Sequence, residues 1–212
     1  MRGQGYDGAS NMRGEWHGLQ ALFLNDCPFA YYVHCFAHRL QLALVAASKD
    51  EVHVHGFFDQ LTSVVNFVGG SCKHQDELQA FQVAEIAHLV SIDELQTGKG
   101  ANQIGTLQRA GDTRWGSHFH SICSLLRWYG PTRAVVENIL KKGTSGAQRG
   151  EAHGILTILN SFNFVFILHA MEKMMGIIDI LCQAFQKKSQ DIVNVEHLVS
   201  TTKSLIQKLR EE

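Results

Sequence analysis

The sequence predicts a mainly helical fold with very little strand. Prolines, which interrupt helices, occur only at Pro28 and Pro131 of the 212-residue chain. Apolar residues recur at spacings of three and four over long stretches, which is typical of amphipathic helices. One run of aromatic and β-branched residues, 29–35, is typical of a strand. Since one strand cannot form a sheet alone, the chain is either all-α or a piece of an α/β domain whose other strands lie elsewhere.

The order of the elements follows from their boundary signals. The first helix ends near Pro28, the strand turns into a helix at His38, and Gly69 and Gly70 end a later one. Four glycines make 97–111 the most loop-like stretch and a natural hinge. Helices are predicted over 14–24, 38–47, 57–68, 76–95, 117–129, 132–140, 155–187 and 191–210, and a polar linker over 141–150. The sequence thus divides into segments 1–96, 97–111 and 112–212.

Composition and charge exclude some classes of protein. Hydrophobic residues make up 45% of the chain and charged residues 18%, which is typical of a globular protein. The formal net charge of −1 excludes a chain that is cationic throughout. Charge is nevertheless uneven, since 51–96 holds seven acidic residues and one basic, and 109–149 seven basic and two acidic. The basic block is either a set of solvated helix faces or a surface for phosphate.

Two further features of the sequence indicate whether the chain spans a membrane and whether its cysteines are reduced. Residues 153–171 lack Asp, Glu, Lys and Arg, but Asn160, Asn163 and His169 interrupt them, so we expect a buried helix and no membrane span. Five cysteines, an odd number without regular spacing, indicate reduced thiols in an intracellular protein. The N-terminal residues lack the apolar stretch of a signal peptide.

Three short clusters contain residues that could bind a metal ion or a nucleic acid. In the first, Asp7 precedes Gly8, which is typical of a turn, or of a carboxylate held at a strand end for a divalent metal. In the second, Cys35 and His38 have a spacing that zinc sites use. A structural zinc site needs four ligands, and no second pair has a suitable spacing. The sequence therefore favours a strand-to-helix corner with a packed thiol and a hydrogen-bonded imidazole.

The third cluster lies before the helix predicted at 117–129. Asp112 or Thr113 could cap that helix, with Trp115 as a core anchor. Alternatively, Arg114 binds phosphate and Trp115 stacks on a nucleobase. Local pattern alone leaves both interpretations open.

Together and in this order, the three clusters resemble the hAT transposase superfamily, in particular its members of zinc-finger-MYM or TTF type with a hAT dimerisation region. The resemblance rests on 5–12, 32–42 and 113–115. It implies a partial RNase H-like α/β core with few strands in 1–96, followed by a helical, insertion-domain-like segment in 112–212. It also implies that Asp7 matches the second catalytic Asp, that Cys35 and His38 form a structural motif, and that the motif of Arg114 and Trp115 leads into the helical insertion. We predict that Arg114 and Trp115 bind nucleic acid.

The family's chemistry needs three carboxylates that hold two Mg²⁺ or Mn²⁺ ions. Of these only Asp7 has a match, so the resemblance implies a chain truncated at both ends, with a vestigial Asp7 that binds metal weakly and no cofactor of its own. We expect a catalytically inactive, nuclear or cytoplasmic protein that binds DNA, a related hAT-like protein or a second copy. Neither a membrane nor a small-molecule substrate is expected.

Two alternatives stay open. One is an all-α protein-interaction module that uses its C-terminal helices, where an apolar stripe runs from Val195 to Leu209. The other is a fragment of an active metal-dependent DNA transposase or nuclease.

Overall fold

The computed structural model describes residues 3–48, 50–96, 98, 102–111, 115–187 and 192–211. The chain divides into two compact units. The first, called the strand unit, consists of 1–50 and 176–212, and the second, called the helical unit, of 51–175. The mainly α fold predicted from the sequence is confirmed. The unit boundaries lie at other positions than 96/97 and 111/112, and the predicted three-segment division stays a prediction.

A parallel pair of strands lies in the strand unit. Strands β1 (Gly3–Tyr6) and β2 (Tyr31–His34) pair with Gly3 opposite Tyr31 and Tyr6 opposite His34. Helices α1 (Ser10–Arg13) and α2 (Leu19–Asp26) connect them, and α3 (Phe36–Ser48) follows. The prediction of a single strand is therefore wrong. β1 was missed because half of its four residues are glycine, which has a low strand propensity.

A buried amide fixes β1 against the start of β2. Gln4 is 6% exposed, and its Nε2 donates to the carbonyl of Ala30 at 2.7 Å and to that of Gln20 at 3.4 Å. The hydroxyl of Tyr6 donates to its Oε1 at 3.0 Å. Because a buried amide without partners costs free energy, these bonds make Gln4 specific for this arrangement.

The helical unit holds a continuous apolar core. Its helices are α4 (Val52–Gly69), α5 (Cys72–Ser91), α6 (Trp115–Arg127), α7 (Tyr129–Lys142), α8 (Gly146–Leu159) and the first part of α9 (Phe162–Phe185). The largest fully buried side chains of this core are those of Phe57, Leu61, Leu78, Ile122, Leu125, Leu159, Phe164 and Leu168. In α4, α6 and α9 they are spaced by three or four residues, as the periodicity predicts.

Local signals explain where these helices begin and end. Asp93, in the left-handed region at φ 62°, follows the end of α5. Pro131 lies in the first turn of α7, where a missing N–H costs nothing, so α7 begins at Tyr129 and not at Thr132 as predicted. Ser145 caps α8 by accepting from the Gln148 N–H at 3.1 Å. The linker predicted over 141–150 is therefore mostly helical, and only residues 143–145 lie between α7 and α8.

The single helix predicted over 155–187 is also wrong. The chain breaks after Leu159, and α8 and α9 are bent by 60° relative to each other. At the break, Ser161 Oγ accepts from the backbone N–H of Phe164 at 3.5 Å, which supports a new helix start. Among the described helices no single one is long and apolar enough to cross a membrane, whereas the bent pair α8 and α9 passes that test by length and composition.

The stretch predicted as a hinge lies partly outside the described residues. Its described part, 102–111, has no regular secondary structure and is held by side chains of the helical unit. The fully buried amide of Gln82 donates to the Gly105 carbonyl and accepts from the Gly105 N–H, both at 2.9 Å. Ser124 Oγ accepts from the N–H of Gln108 at 2.9 Å, and Leu107 is buried between these anchors. We call 102–111 the strap.

The C-terminal helix α10 (Ile192–Glu211) belongs to the strand unit. Its predicted apolar stripe is half-buried at Val195, Leu198 and Leu209 and exposed at Leu205. A shallow cavity of about 340 Å³ lies between α10 and the last two turns of α9, lined by residues that include Ile180, His197 and Leu198.

Candidate functional site

Asp7 lies directly after β1, at the carboxyl end of the parallel strand pair. Its side chain is exposed, and its Oδ1 accepts from the backbone N–H of Ala9 at 3.2 Å, which is the hydrogen bond of an Asx turn. The hydroxyl of Tyr32 donates to its backbone carbonyl at 3.1 Å. The sequence offered two interpretations of Asp7, a turn residue and a carboxylate at a strand end. The two are compatible, because Asp7 forms a turn directly after β1.

His34 lies beside Asp7 because β2 ends opposite the end of β1. A Cβ atom on Gly8 would lie 3.1 Å from Cε1 of the His34 ring, so glycine lets the backbone after Asp7 pass close to the imidazole. The His34 Nε2 is buried and has no hydrogen-bond partner among the described residues. A buried polar atom without a partner raises the free energy of the folded chain, which makes this nitrogen a point where a donor, an acceptor or water would be bound favourably.

A column of rings runs along the same face of the strand pair. Tyr6 stacks on Tyr32 with ring centroids 6.2 Å apart, and Tyr32 stacks on His34 at 6.4 Å. The His34 ring lies 5.3 Å from that of His38. The sequence interpretation missed Tyr6, Tyr32 and His34 as members of the site. The alternation of Tyr32 and His34 at a spacing of two was the available signal, but its meaning depends on the register with β1.

Cys35 and His38 lie at the turn from β2 into α3. The backbone N–H of Cys35 donates to the carbonyl of Tyr6 at 2.8 Å, which extends the strand pairing by one residue. The thiol is half-buried and free, and His38 lies in the first turn of α3. The described residues contain no group of three or more His, Cys, Asp or Glu side chains placed to hold a metal ion.

Most of the third predicted cluster lies outside the described residues. Arg114 lies outside the described residues, together with Asp112 and Thr113. Trp115 is the first residue of α6, but its side chain lies outside the described part of the chain. Nucleic-acid contacts of Arg114 and Trp115 therefore stay predictions.

Three basic residues of the helical unit lie on either side of the turn from α7 to α8. Lys141 and Lys142 are exposed in the last turn of α7, and Arg149 is exposed in the first turns of α8. Arg149 Nη1 donates to the carbonyl of Gly143 at 2.6 Å, which holds the guanidinium over the turn. We call Lys141, Lys142 and Arg149 the basic turn. Within the described chain none of its three cations forms an ion pair, whereas Arg133 pairs with Glu137 at 3.0 Å.

The basic turn is anchored to the core through one amide. Gln148 Oε1 accepts from the N–H of Thr144 at 3.2 Å, and its Nε2 lies 3.4 Å from Nε2 of the buried His74. His74 Nδ1 lies 2.9 Å from the carbonyl of Phe67. The tautomer that satisfies both contacts carries its proton on Nδ1 and accepts from Gln148 on Nε2. The turn that carries the cations is thereby fixed rather than free.

Comparison with known proteins does not identify a family for this chain. No protein-family model matches the chain, and no solved structure matches it.

Proposed function

We propose that the chain is a hAT-transposase-like protein with a binding role, and that its helical unit binds DNA phosphate through the basic turn. The observation that carries the proposal is the position of Lys141, Lys142 and Arg149 on either side of one turn, exposed and without a paired carboxylate among the described residues. In sequence these cations are three of the seven bases of a block, and they are the three that lie next to this turn.

The backbone of the basic turn adds to its attraction for anions. The first N–H groups of α8 have no partner within the helix, and the aligned peptide dipoles place a partial positive charge there. Ser145 occupies one of these groups, that of Gln148. The cations Lys141, Lys142 and Arg149 flank the same helix start, so a phosphate there would meet peptide N–H groups and fixed positive charge together.

The strand pair supports the RNase H-like part of the proposal. In parallel sheets, ligands bind at the carboxyl ends of strands, and that end carries Asp7 and His34 here. The resemblance implies Mg²⁺ or Mn²⁺ at this end. A two-metal centre needs several carboxylates, and Asp7 is not part of a metal-holding group in the described residues. The described side chains do not supply the ligands of a two-metal centre, so the proposed role is binding and not DNA cleavage.

DNA binding is tested by fluorescence anisotropy of the full chain with a labelled duplex over a range of salt concentrations. If the basic turn contacts phosphate, the affinity falls steeply with salt. The double variant Lys141→Gln/Lys142→Gln should reduce the slope of log K against log salt by about 2. The matched control is Lys203→Gln/Lys208→Gln, which removes two exposed lysines from α10. Equal losses in both variants would contradict a specific role of the basic turn.

A second candidate function is protein binding through the strand pair. Phe29 and Tyr31 are each 69% exposed, and Val33 is 48% exposed on the same face of β2. Parallel strands are normally covered on both faces, so this surface favours a protein partner, either a related hAT-like protein or a second copy. Tyr31→Lys/Val33→Lys should abolish self-association in sedimentation velocity, and Lys141→Gln/Lys142→Gln should leave it unchanged.

If the chain binds DNA, we expect it in the nucleus, which is also the compartment that the resemblance implies. Microscopy of the full chain fused to a fluorescent protein tests this. A fusion excluded from the nucleus in cells would contradict the DNA-binding proposal.

A further inference from the structure

Two cysteines of the strand unit lie on neighbouring segments, the corner between β2 and α3 and the C-terminal part of α9. Cys35 is the residue between β2 and α3, and its thiol is half-buried. Cys182 lies in the C-terminal part of α9 and is 8% exposed. They are 147 positions apart in sequence, so nothing in their spacing connects them.

A contact between two aromatic rings links the two segments. The ring of Phe36, which follows Cys35, lies 6.0 Å from the ring of Phe185. Cys182 precedes Phe185 by one helical turn, and residues three apart in a helix share a face. The face of α9 that carries Cys182 is therefore the face that contacts the start of α3.

The electrostatics agree with this placement. Burial raises the pKa of the Cys182 thiol, and the charges of Asp179 and Cys35 raise it further. An effect of the Cys35 charge on the pKa of Cys182 agrees with the contact between the rings of Phe36 and Phe185, which places the two segments side by side. Cys182 is therefore protonated at neutral pH, and the more accessible Cys35 is the thiol that an oxidant meets first.

We propose that Cys35 and Cys182 form a reversible disulfide when the chain meets a peroxide, which ties the β2–α3 corner to α9. The Cys35 thiolate attacks one peroxide oxygen, the O–O bond breaks, and a sulfenic acid and water form after proton uptake. The Cys182 sulfur then attacks the sulfenic sulfur, the S–O bond breaks, and water leaves with the Cys182 proton. In total two thiols and one hydrogen peroxide give one disulfide and two waters, and a thiol reductant restores the pair.

The bond would act on the candidate site, because Cys35 directly follows His34 and its N–H is bonded to the carbonyl before Asp7. A disulfide requires Cα atoms within about 7 Å of each other and fixes them there. The corner that carries His34 and His38 would then be held to α9 in the oxidised protein and released in the reduced one. This proposal stands independently of DNA binding by the basic turn.

The test is a disulfide map of the reduced full chain after treatment with hydrogen peroxide and blocking of the remaining thiols with N-ethylmaleimide. Trypsin leaves Cys27 and Cys35 in one peptide, so chymotrypsin is added to cut at Phe29, Tyr31 and Tyr32. We expect a Cys35–Cys182 cross-link within one chain, lost in Cys182→Ser and retained in Cys72→Ser, which removes an exposed thiol of α5.

Several outcomes would overturn the proposal. These are separate labelling of Cys35 and Cys182 after oxidation, a cross-link of either to Cys27, Cys72 or Cys123, and a cross-link between two chains on a non-reducing gel. If Cys182→Ser loses its circular-dichroism signal, Cys35→Ser serves as the second variant, since Cys35 is only half-buried. In wild type alone, oxidation should also raise the melting temperature, and a reductant should reverse the rise.

Discussion

The helical unit and the strand unit have similar proportions of apolar residues but bury them differently. In the helical unit, Phe57, Ile122 and Phe164 belong to one cluster of fully buried side chains. In residues 3–48 of the strand unit, the buried apolar side chains are the small ones of Ala30 and Ala37. Because burial of apolar area provides most of the favourable free energy of folding, the helical unit holds most of the stability of the described chain.

The exposed apolar residues of the strand unit show what this difference means for function. Trp16 is 83% exposed, and the exposed large side chains of the same unit also include Phe29, Tyr31, Val33, Phe36, Leu42, Val45, Ile180 and Val193. A surface of this kind is typical of regions that contact other protein. We therefore interpret the helical unit as the stable framework and the strand unit as the part that responds to a partner or an oxidant.

The largest expected difference between the units comes from removing one aromatic ring from each. Phe57 is 2% exposed, and its ring lies 5.5 Å from that of Phe164. Phe57→Ala should lower the free energy of unfolding by about 3–5 kcal/mol, because it leaves a cavity in the core. The matched variant Phe29→Ala should change it by less than about 0.5 kcal/mol. Urea unfolding followed by circular dichroism measures both, and similar losses would contradict the comparison.

The second prediction concerns the strap. In Gln82→Leu, the Gly105 N–H and carbonyl lose their partners, and unfolding free energy should fall by about 2–4 kcal/mol. Trypsin should then cut faster at Arg109, which lies in the strap. Gln79→Leu is the control, since Gln79 lies on the same helix one turn earlier and is only half-buried. An unchanged cleavage rate in Gln82→Leu would show that the amide does not hold the strap.

A smaller effect is expected from a half-buried hydroxyl. Tyr129 donates to the carbonyl of Leu159 at the end of α8. Tyr129→Phe should lower the free energy of unfolding by about 1 kcal/mol, because that carbonyl loses a donor. Tyr31→Phe in the strand unit removes an exposed hydroxyl and should have no measurable effect. Equal melting temperatures for the two variants would refute the assignment.

The smallest predicted effect is a dependence on alkaline pH. Burial raises the pKa of Tyr129 above its ordinary value of 10.0, and the nearby Arg133 lowers it by less. A raised pKa in the folded state means that the neutral phenol contributes stability below pH 10, which is lost as the pH rises through the folded-state pKa. Urea midpoints below and above pH 10 should therefore differ more in wild type than in Tyr129→Phe.

The sequence predicts the helices of the helical unit better than the strand pair, for a physical reason. The buried side of α4 was predicted from Phe57, Leu61 and Val68, because helical periodicity is local and repeats over several turns. The position of β1 depends on pairing with β2, about 28 residues away, which no local pattern reports. The break between α8 and α9 was missed because Asn160 and Ser161 are a weak interruption of a long apolar run.

The candidate site shows the same limit. Asp7, Cys35 and His38 could be selected from residue type and spacing alone. The contact of Gly8 with the His34 ring and the ring column through Tyr32 require the register of two parallel strands. The basic block 109–149 was visible as composition, but only the fold separates Arg133, which is paired, from Lys141 and Arg149, which are not.

The hydrogen bonds of the strap determine where the chain can tolerate an inserted residue. The strap is held at Gly105, whose N–H and carbonyl both form hydrogen bonds with the side-chain amide of Gln82. It is also held by the buried side chain of Leu107 and by the N–H of Gln108. An inserted residue before Asn102 lengthens a connection without moving these contacts, and longer loops cost little closure entropy. An inserted residue between Gly105 and Leu107 shifts every later contact by one position. Natural length variation is therefore expected before Asn102 and excluded from the three residues that follow Gly105.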